Sequence, residues 1–155
     1  VTPTPPLDDT PWSERLRERG LRVTAGRIAA LNHLKAKPHT TATELHTALI
    51  TVLPSLTPQS VYNIVQDLTE HGLIRRIDPL GDGGARYETR TDDNHHHLSC
   101  VLCGRIEDVD CVIGEAPCLV PQSTHGMRVL HADVTFRGIC AACEQKPPSP
   151  HPRKE

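Results

Sequence analysis

The chain has 155 residues, a net charge of −2 and four aromatic side chains in all, Trp12, Tyr62, Tyr87 and Phe136. That length allows one ordinary domain or two small ones, and the lack of aromatic bulk implies a thin core that a metal, a disulfide or a partner subunit must supplement. No apolar run approaches the ~20 residues of a membrane span and no charged-then-apolar export signal is present, so a membrane protein is not expected; a cytoplasmic protein with reduced thiols is.

The small net charge hides an uneven distribution. From Trp12 to Arg76 nine Arg/Lys stand against five Asp/Glu, a balance of +4; from Ile77 to Gln145 five stand against eleven, a balance of −6. A basic first half suits phosphate contacts and an acidic, histidine-rich second half suits cations.

Residues 1–11 and 146–155 are rich in proline and polar residues and read as mobile tails. A first helix opens at Trp12 and runs to about Arg19, where Gly20 stops it. Thr24 caps a second helix with Ile28, Ala29, Leu31 and Leu34 at helical spacing, ended by Pro38. A third begins at Thr41 or Thr43, carries Leu45, Leu49 and Val52, and is closed by Pro54. Thr57-Pro58 opens a fourth, with Val61, Ile64, Val65 and Leu68 on one face and Gly72 beyond its end. Two short strands follow, Leu73 to Ile77 and Ala85 to Thr89, joined by a glycine-rich connection.

Three to four helices and a two-stranded wing within about 80 residues describe a winged helix-turn-helix, which makes residues 12–91 a DNA-binding domain. The alternative is a small helical domain that ends in a hairpin. The early face of the fourth helix, Gln59, Ser60, Tyr62 and Asn63, is the recognition candidate, because short polar residues enter a major groove readily. Tyr62 could equally be a core aromatic. Arg22, Arg27, Arg75 and Arg76 are candidate phosphate or minor-groove contacts, or solvated surface.

Asp92-Asp93-Asn94 reads as a hinge. Beyond it, residues 92–145 hold short β-like runs at Leu98 to Val101, Arg105 to Val109 and Val129 to Arg137, a unit too small to stand alone and expected to dimerise. It contains two C-x-x-C pairs, Cys100/Cys103 and Cys140/Cys143, separated by 36 residues. Four thiolates close a tetrahedral Zn(II) shell with no open position, so this site is structural; two disulfides or redox thiols are the alternative. Cys111 and Cys118 are left over, either buried apolar thiols or a reversible thiol switch.

His95 and His97 fall on one face if their segment is a strand, with His96 on the other. Glu88 and Asp108 are carboxylates that could converge on the pair. Such a nitrogen and oxygen shell without sulfur suits Fe(II) or Mn(II), or Zn(II) as a substitute.

From Trp12 to Cys143 the chain resembles the ferric uptake regulator family. The resemblance is carried by Gly20-Leu21-Arg22-Val23-Thr24 with Arg27, by Pro58-Gln59-Ser60-Val61-Tyr62, by Asn94-His95-His96-His97-Leu98-Ser99-Cys100-Val101-Leu102-Cys103-Gly104, and by Gly138-Ile139-Cys140-Ala141-Ala142-Cys143. Within the family, Ala85 to Glu88 and Asp108 to Cys118 look most like the actinobacterial branch that represses catalase-peroxidase genes, which makes Cys111 and Cys118 branch features.

The resemblance implies an α+β protein, a winged helix-turn-helix followed by a small α/β dimerisation domain, and no enzyme. It implies a regulatory metal held by His39, Glu88, His95, His97 and Asp108; His39 is supplied by the resemblance alone, since Pro38-His39-Thr40 otherwise reads as a loop. Positions matching a third site of some relatives are Asn94, His96, Glu115 and Ala132. Alanine cannot ligate and asparagine is a poor substitute, so that site is expected to be absent or altered; neighbouring His131 compensates only if the register slips by one.

The implied partners are a second copy of the chain and operator DNA, with recognition helices about 34 Å apart on successive major grooves. Metal, and peroxide as a signal, are the only small molecules expected. The rival readings are a zinc-responsive uptake regulator, whose regulatory ligands typically include a cysteine, and a non-haem metalloenzyme.

Overall fold

The computed structural model describes residues 11–79, 84–114, 117–130 and 132–145. The chain forms two compact units, the first of residues up to 78 with Gly84–Thr91 and the second of residue 79 with 92–145. The expected tails, apart from Pro11, lie outside the described residues, as do Glu115 and His131.

The first unit holds helices α1 (Trp12–Glu18), α2 (Ala25–Ala36), α3 (Ala42–Leu49) and α4 (Pro58–Glu70). Strands β1 (Thr40–Thr41), β2 (Arg75–Ile77) and β3 (Arg86–Glu88) form an antiparallel sheet in the order β1-β3-β2. Each long helix starts on a threonine whose hydroxyl accepts an otherwise orphaned backbone N–H. Thr24 accepts from Arg27 at 3.3 Å and Thr57 from Ser60 at 3.1 Å. Thr41 and Glu44 form a reciprocal capping box, and the N–H of Thr41 is the main reason the Glu44 carboxyl titrates below its ordinary value.

Helix α3 stops at Leu49, short of the expected Val52, which lies outside it and is exposed. Pro54 accounts for the stop: a proline disfavours the helical region for the residue before it, and the N–H groups of Val52 and Leu53 both close on the carbonyl of Leu49. The core is built from Leu16, Leu31, Leu34, Leu45, Val61, Val65 and Leu68, with Tyr87 of β3 at its sheet side. Truncating one of these leucines to alanine costs roughly 2–5 kcal/mol. Gly26 lets α2 approach α4, since a Cβ there would stand 3.0 Å from Cδ1 of Ile64.

The second unit holds β4 (His95–Cys100), β5 (Ile106–Asp110), β6 (Thr135–Gly138) and the short helix α5 (Ala141–Glu144). Strand β4 is central, antiparallel to β5 and parallel to β6. It begins three residues earlier than the apolar run suggested, because histidines rather than aliphatic residues form its buried start. The expected strand from Val129 shrinks to Thr135–Gly138, the part that finds register against β4. Among its described residues the buried apolar side chains are only Cys100 and Ile106, while Val112, Val120, Met127 and Phe136 are exposed. A unit with so little core needs covalent or metal support, or a partner.

Candidate metal centres and nucleic-acid interface

Parallel pairing of β4 with β6 sets Cys100 opposite Gly138, so both C-x-x-C loops leave the same end of the sheet. Gly104, at φ 71°, turns the first loop back and its N–H bonds to the carbonyl of Cys100 at 3.0 Å; Cys140 starts α5 and puts Cys143 one turn on. The four sulfurs all lie within 4.8 Å of one another. Sulfurs at the ~2.3 Å of a Zn–thiolate bond stand about 3.8 Å apart along a tetrahedral edge, and Cys103 and Cys140 are 3.7 Å apart.

The electrostatics of the cluster call for a cation. The Cys100 thiol is drawn down to about 6, first by the N–H of Cys140 and then by those of Cys103 and Leu102, whereas hydrogen bonding with Cys140 and Cys103 pushes Cys143 up to about 12. One thiolate forms easily and further ionisation is resisted. A divalent ion removes that conflict, and the all-sulfur donor set suits zinc.

The carboxylate and histidine donors fall in two groups, one in each unit. In the first unit, Thr40 pairs with Tyr87, and one register step further His39 comes opposite Glu88, with Nε2 3.1 Å from Oε2. Glu88 is fully buried and its other oxygen stands 3.9 Å from Nη1 of Arg75. His39 holds a left-handed backbone, φ 60°, and its carbonyl accepts from Nη1 of Arg86 at 3.0 Å. A non-glycine residue there is uncommon and costs about 1–3 kcal/mol, strain of the kind that gathers at functional sites.

In the second unit, His97 and Asp108 are direct cross-strand partners, Nε2 to Oδ1 3.6 Å, and Nε2 of His95 stands 3.9 Å from the same oxygen. The two rings sit edge to face with centroids 4.9 Å apart. Nδ1 of His95 is 2.7 Å from Oδ1 of Asp93. Because an ionised carboxylate only accepts, the ring proton belongs on Nδ1, which leaves the Nε2 lone pair directed toward Asp108. A carboxylate behind a histidine is the usual means of orienting a metal ligand.

His96 points to the other face of β4, its ring 6.5 Å from that of Phe136. Its Nε2 is 3.2 Å from Sγ of Cys118, with Cys111 beside them. Ala132 has no side-chain donor to offer, and the side chains grouped with His96 among the described residues are Cys111 and Cys118.

On α4, Gln59, Tyr62 and Asn63 are exposed and Ser60 is half-buried. Tyr62 is 51% exposed, which excludes the core-aromatic alternative. Gln59 Nε2 donates to Asn63 Oδ1 at 3.0 Å, so the polar face is ordered by its own i,i+4 contact. Arg22 is exposed, but Arg27 is an internal brace: one amine donates to the carbonyl of Arg22 at 2.8 Å and the other pairs with Asp67 of α4. Arg76 is paired with Asp78.

Residues 18–137 match the ferric uptake regulator family. The chain belongs to that family. It is 43% identical over 132 residues to the transcriptional regulator FurA of Mycobacterium tuberculosis, covering 85% of this chain and 89% of that one. The peroxide operon regulator of Bacillus subtilis is 33% identical over 135 residues, covering 86% and 91%. The fold is shared with the solved Helicobacter pylori ferric uptake regulator, at a TM-score of 0.66, 18% identity and coverage of 87% and 90%.

The protein is therefore a metal-dependent transcriptional repressor of the ferric uptake regulator family and not an enzyme. Regulators of this family bind DNA and act as dimers, with metal ions involved. No helix among the described residues is long and apolar enough to cross a membrane.

Three placements had no signal in the sequence pattern. A two-residue strand such as β1 has no periodicity, so nothing marked His39 as opposite Glu88. Asp93 reads as a hinge residue until its carboxylate is seen behind His95. Cys111 and Cys118 follow no periodic pattern in the sequence, and only the fold sets them beside His96.

Proposed function

We propose that this repressor acts in the cytoplasm as a homodimer on operator DNA, that Fe(II) or Mn(II) is its regulatory metal, and that it governs peroxide defence, catalase-peroxidase genes above all, together with iron-homeostasis genes. The observation that carries the reading is the pairing of His97 with Asp108, beside a His95 already oriented by Asp93. These donors are nitrogen and oxygen, the set that suits Fe(II) and Mn(II), with Zn(II) a substitute. The absence of sulfur among them speaks against a zinc-uptake regulator.

The regulatory ion takes donors from both units in this reading, His39 and Glu88 from the first and His95, His97 and Asp108 from the second. Neither group alone fills an octahedral sphere. The ion then favours one arrangement of the two units, and by linkage DNA that prefers that arrangement tightens the metal by the same factor. The Cys100, Cys103, Cys140 and Cys143 cluster holds a structural Zn(II), and the exposed apolar residues of the second unit are the surface that a second copy covers. Base contacts come from Gln59, Ser60, Tyr62 and Asn63, with Arg22 on phosphate. Similarity to FurA and to a peroxide operon regulator supports the oxidant response, for which the regulatory histidines and the thiols of Cys111 and Cys118 are the two candidate targets.

The test is a footprinting titration with Fe(II), Mn(II) or Zn(II), with and without peroxide, followed by mass analysis of the oxidised residues. Operator protection supported by manganese that survives peroxide, alongside iron-supported protection that does not, is the expected result. Protection that needs no metal would refute the reading.

A further inference from the structure

On the face of β4 away from His95 and His97, His96 is buried, 6% exposed, and aimed at two cysteines. His96 registers against Val109 of β5, and Cys111 follows immediately after that strand ends at Asp110. Gly114, at φ 77°, helps the chain double back and bring Cys118 to the same place. The result is a triad in which Nε2 of His96, Sγ of Cys111 and Sγ of Cys118 all lie within 4.8 Å of one another, with the imidazole 3.2 Å from Sγ of Cys118.

We propose that His96, Cys111 and Cys118 form a thiolate-rich Zn(II) site, separate from the four-cysteine cluster and from the regulatory donors.

Three observations converge on it. The first is geometric: Zn–S bonds of ~2.3 Å and a Zn–N bond of ~2.0 Å at a tetrahedral angle set sulfur and nitrogen about 3.5 Å apart, a few tenths from the 3.2 Å between Nε2 of His96 and Sγ of Cys118. The second is burial without compensation. Nε2 of the buried His96 ring meets the Cys118 thiol, a weak hydrogen-bond partner, so its lone pair is left nearly unused inside the fold. A cation there takes up that lone pair. The third is thiolate supply, because the Cys111 thiol is held below its ordinary value, chiefly by the N–H of Gly114 and also by that of Ile113 and by Cys118.

The donor set decides the ion. Two sulfurs and one imidazole select a thiophilic d10 ion over Fe(II) or Mn(II), and three protein ligands leave a fourth position for water or another donor. All six cysteines are free thiols here, so no disulfide competes within the fold as it stands. The site depends on the second unit alone and stands whether or not the regulatory reading holds.

The experiment is Zn(II) titration of the reduced full chain with pulsed maleimide labelling, the labelled cysteines identified by mass spectrometry. It is run on the unaltered chain, on His96→Ala and His96→Gln, and in a His97→Ala background that silences the regulatory donors. As Zn(II) is added beyond the structural equivalent, Cys111 and Cys118 are expected to become protected together, by at least tenfold in rate, in both the unaltered and the His97→Ala chains. Bound zinc should exceed that of Cys111→Ser/Cys118→Ser by one equivalent. Both His96 variants should lose that protection while Cys100, Cys103, Cys140 and Cys143 stay protected, which shows that the unit has not unfolded. Labelling of Cys111 and Cys118 that ignores Zn(II), or protection that survives in His96→Gln, would overturn the site, as would conversion of the pair to a disulfide with no zinc-bound form.

Discussion

His97 and Asp108 sit directly opposite each other in the β4–β5 pair, with Nε2 3.6 Å from Oδ1. A backbone register thus supplies two donors of opposite charge tendency at a spacing that an interposed cation fits, without any loop needing to close. If these are regulatory ligands, His97→Ala removes one first-contact bond while leaving the strand pairing intact. Metal-dependent operator affinity should fall by at least tenfold, and one zinc per chain should remain in the four-cysteine cluster. Anisotropy titration of labelled operator with and without Mn(II), together with elemental analysis, checks both halves; unchanged metal-dependent affinity would exclude His97.

Asp93 offers a subtler test, because its carboxylate acts on the metal only through His95. Asp93→Ala should weaken regulatory metal binding by about 10- to 100-fold, the usual cost of losing a carboxylate behind a ligating histidine. Asp93→Asn should recover much of that loss, since the amide oxygen still accepts the Nδ1 proton. Direct Mn(II) titration reads the difference, and equal affinities in Asn and Ala variants would mean that Asp93 acts by charge and not by orienting the ring.

How far the sequence carried the fold follows from which signals are local. Thr24 and Thr57 marked two helix starts, and Thr41 was one of two candidates with Thr43 for a third, because a cap needs only its own neighbours; Thr24, Thr41 and Thr57 each accept the N–H three residues on. Val61, Val65 and Leu68 marked the buried face of α4 by spacing alone. His39 was different: its position opposite Glu88 depends on a pairing across 49 residues, which no periodicity encodes, and family resemblance had to supply it. Arg27 reads from the sequence as a DNA contact or as solvated surface, and its pairing with Asp67, forty residues away, has no local signal. The Cys111–Cys118 segment had spacing but no direction until β4 and β5 placed His96 beside it.

Cys100 sits where β4 ends and where the N–H of Cys140 points, so it joins the two knuckles as well as serving as a ligand. Since the described part of the second unit buries so few apolar side chains, metal binding and folding should be one event there, as for other small zinc units whose apparent metal affinity is about 10–16 kcal/mol. Cys100→Ser is expected to release zinc, lower the melting temperature of the second unit and shift the chain toward monomer in size-exclusion chromatography. A zinc-free dimer of unaltered stability would contradict the structural role of the cluster.

Tyr62 projects from α4 one turn beyond the Thr57 cap and is 51% exposed. A tyrosine that contributed to stability through burial would lose little on becoming phenylalanine, whereas one that hydrogen-bonds a base edge or phosphate loses about 0.5–1.5 kcal/mol, a factor of roughly 2 to 10 in affinity. Where the loss falls separates the two contacts. For base reading, Tyr62→Phe should weaken operator binding while leaving the affinity for random duplex of equal length within twofold; for phosphate contact both should fall together and the salt slope should stay nearly the same, because no charge has been removed. Base reading is the expected outcome, since a major-groove helix directs the early residues of its exposed face to base edges, and parallel titrations on operator and random DNA at two salt concentrations decide it.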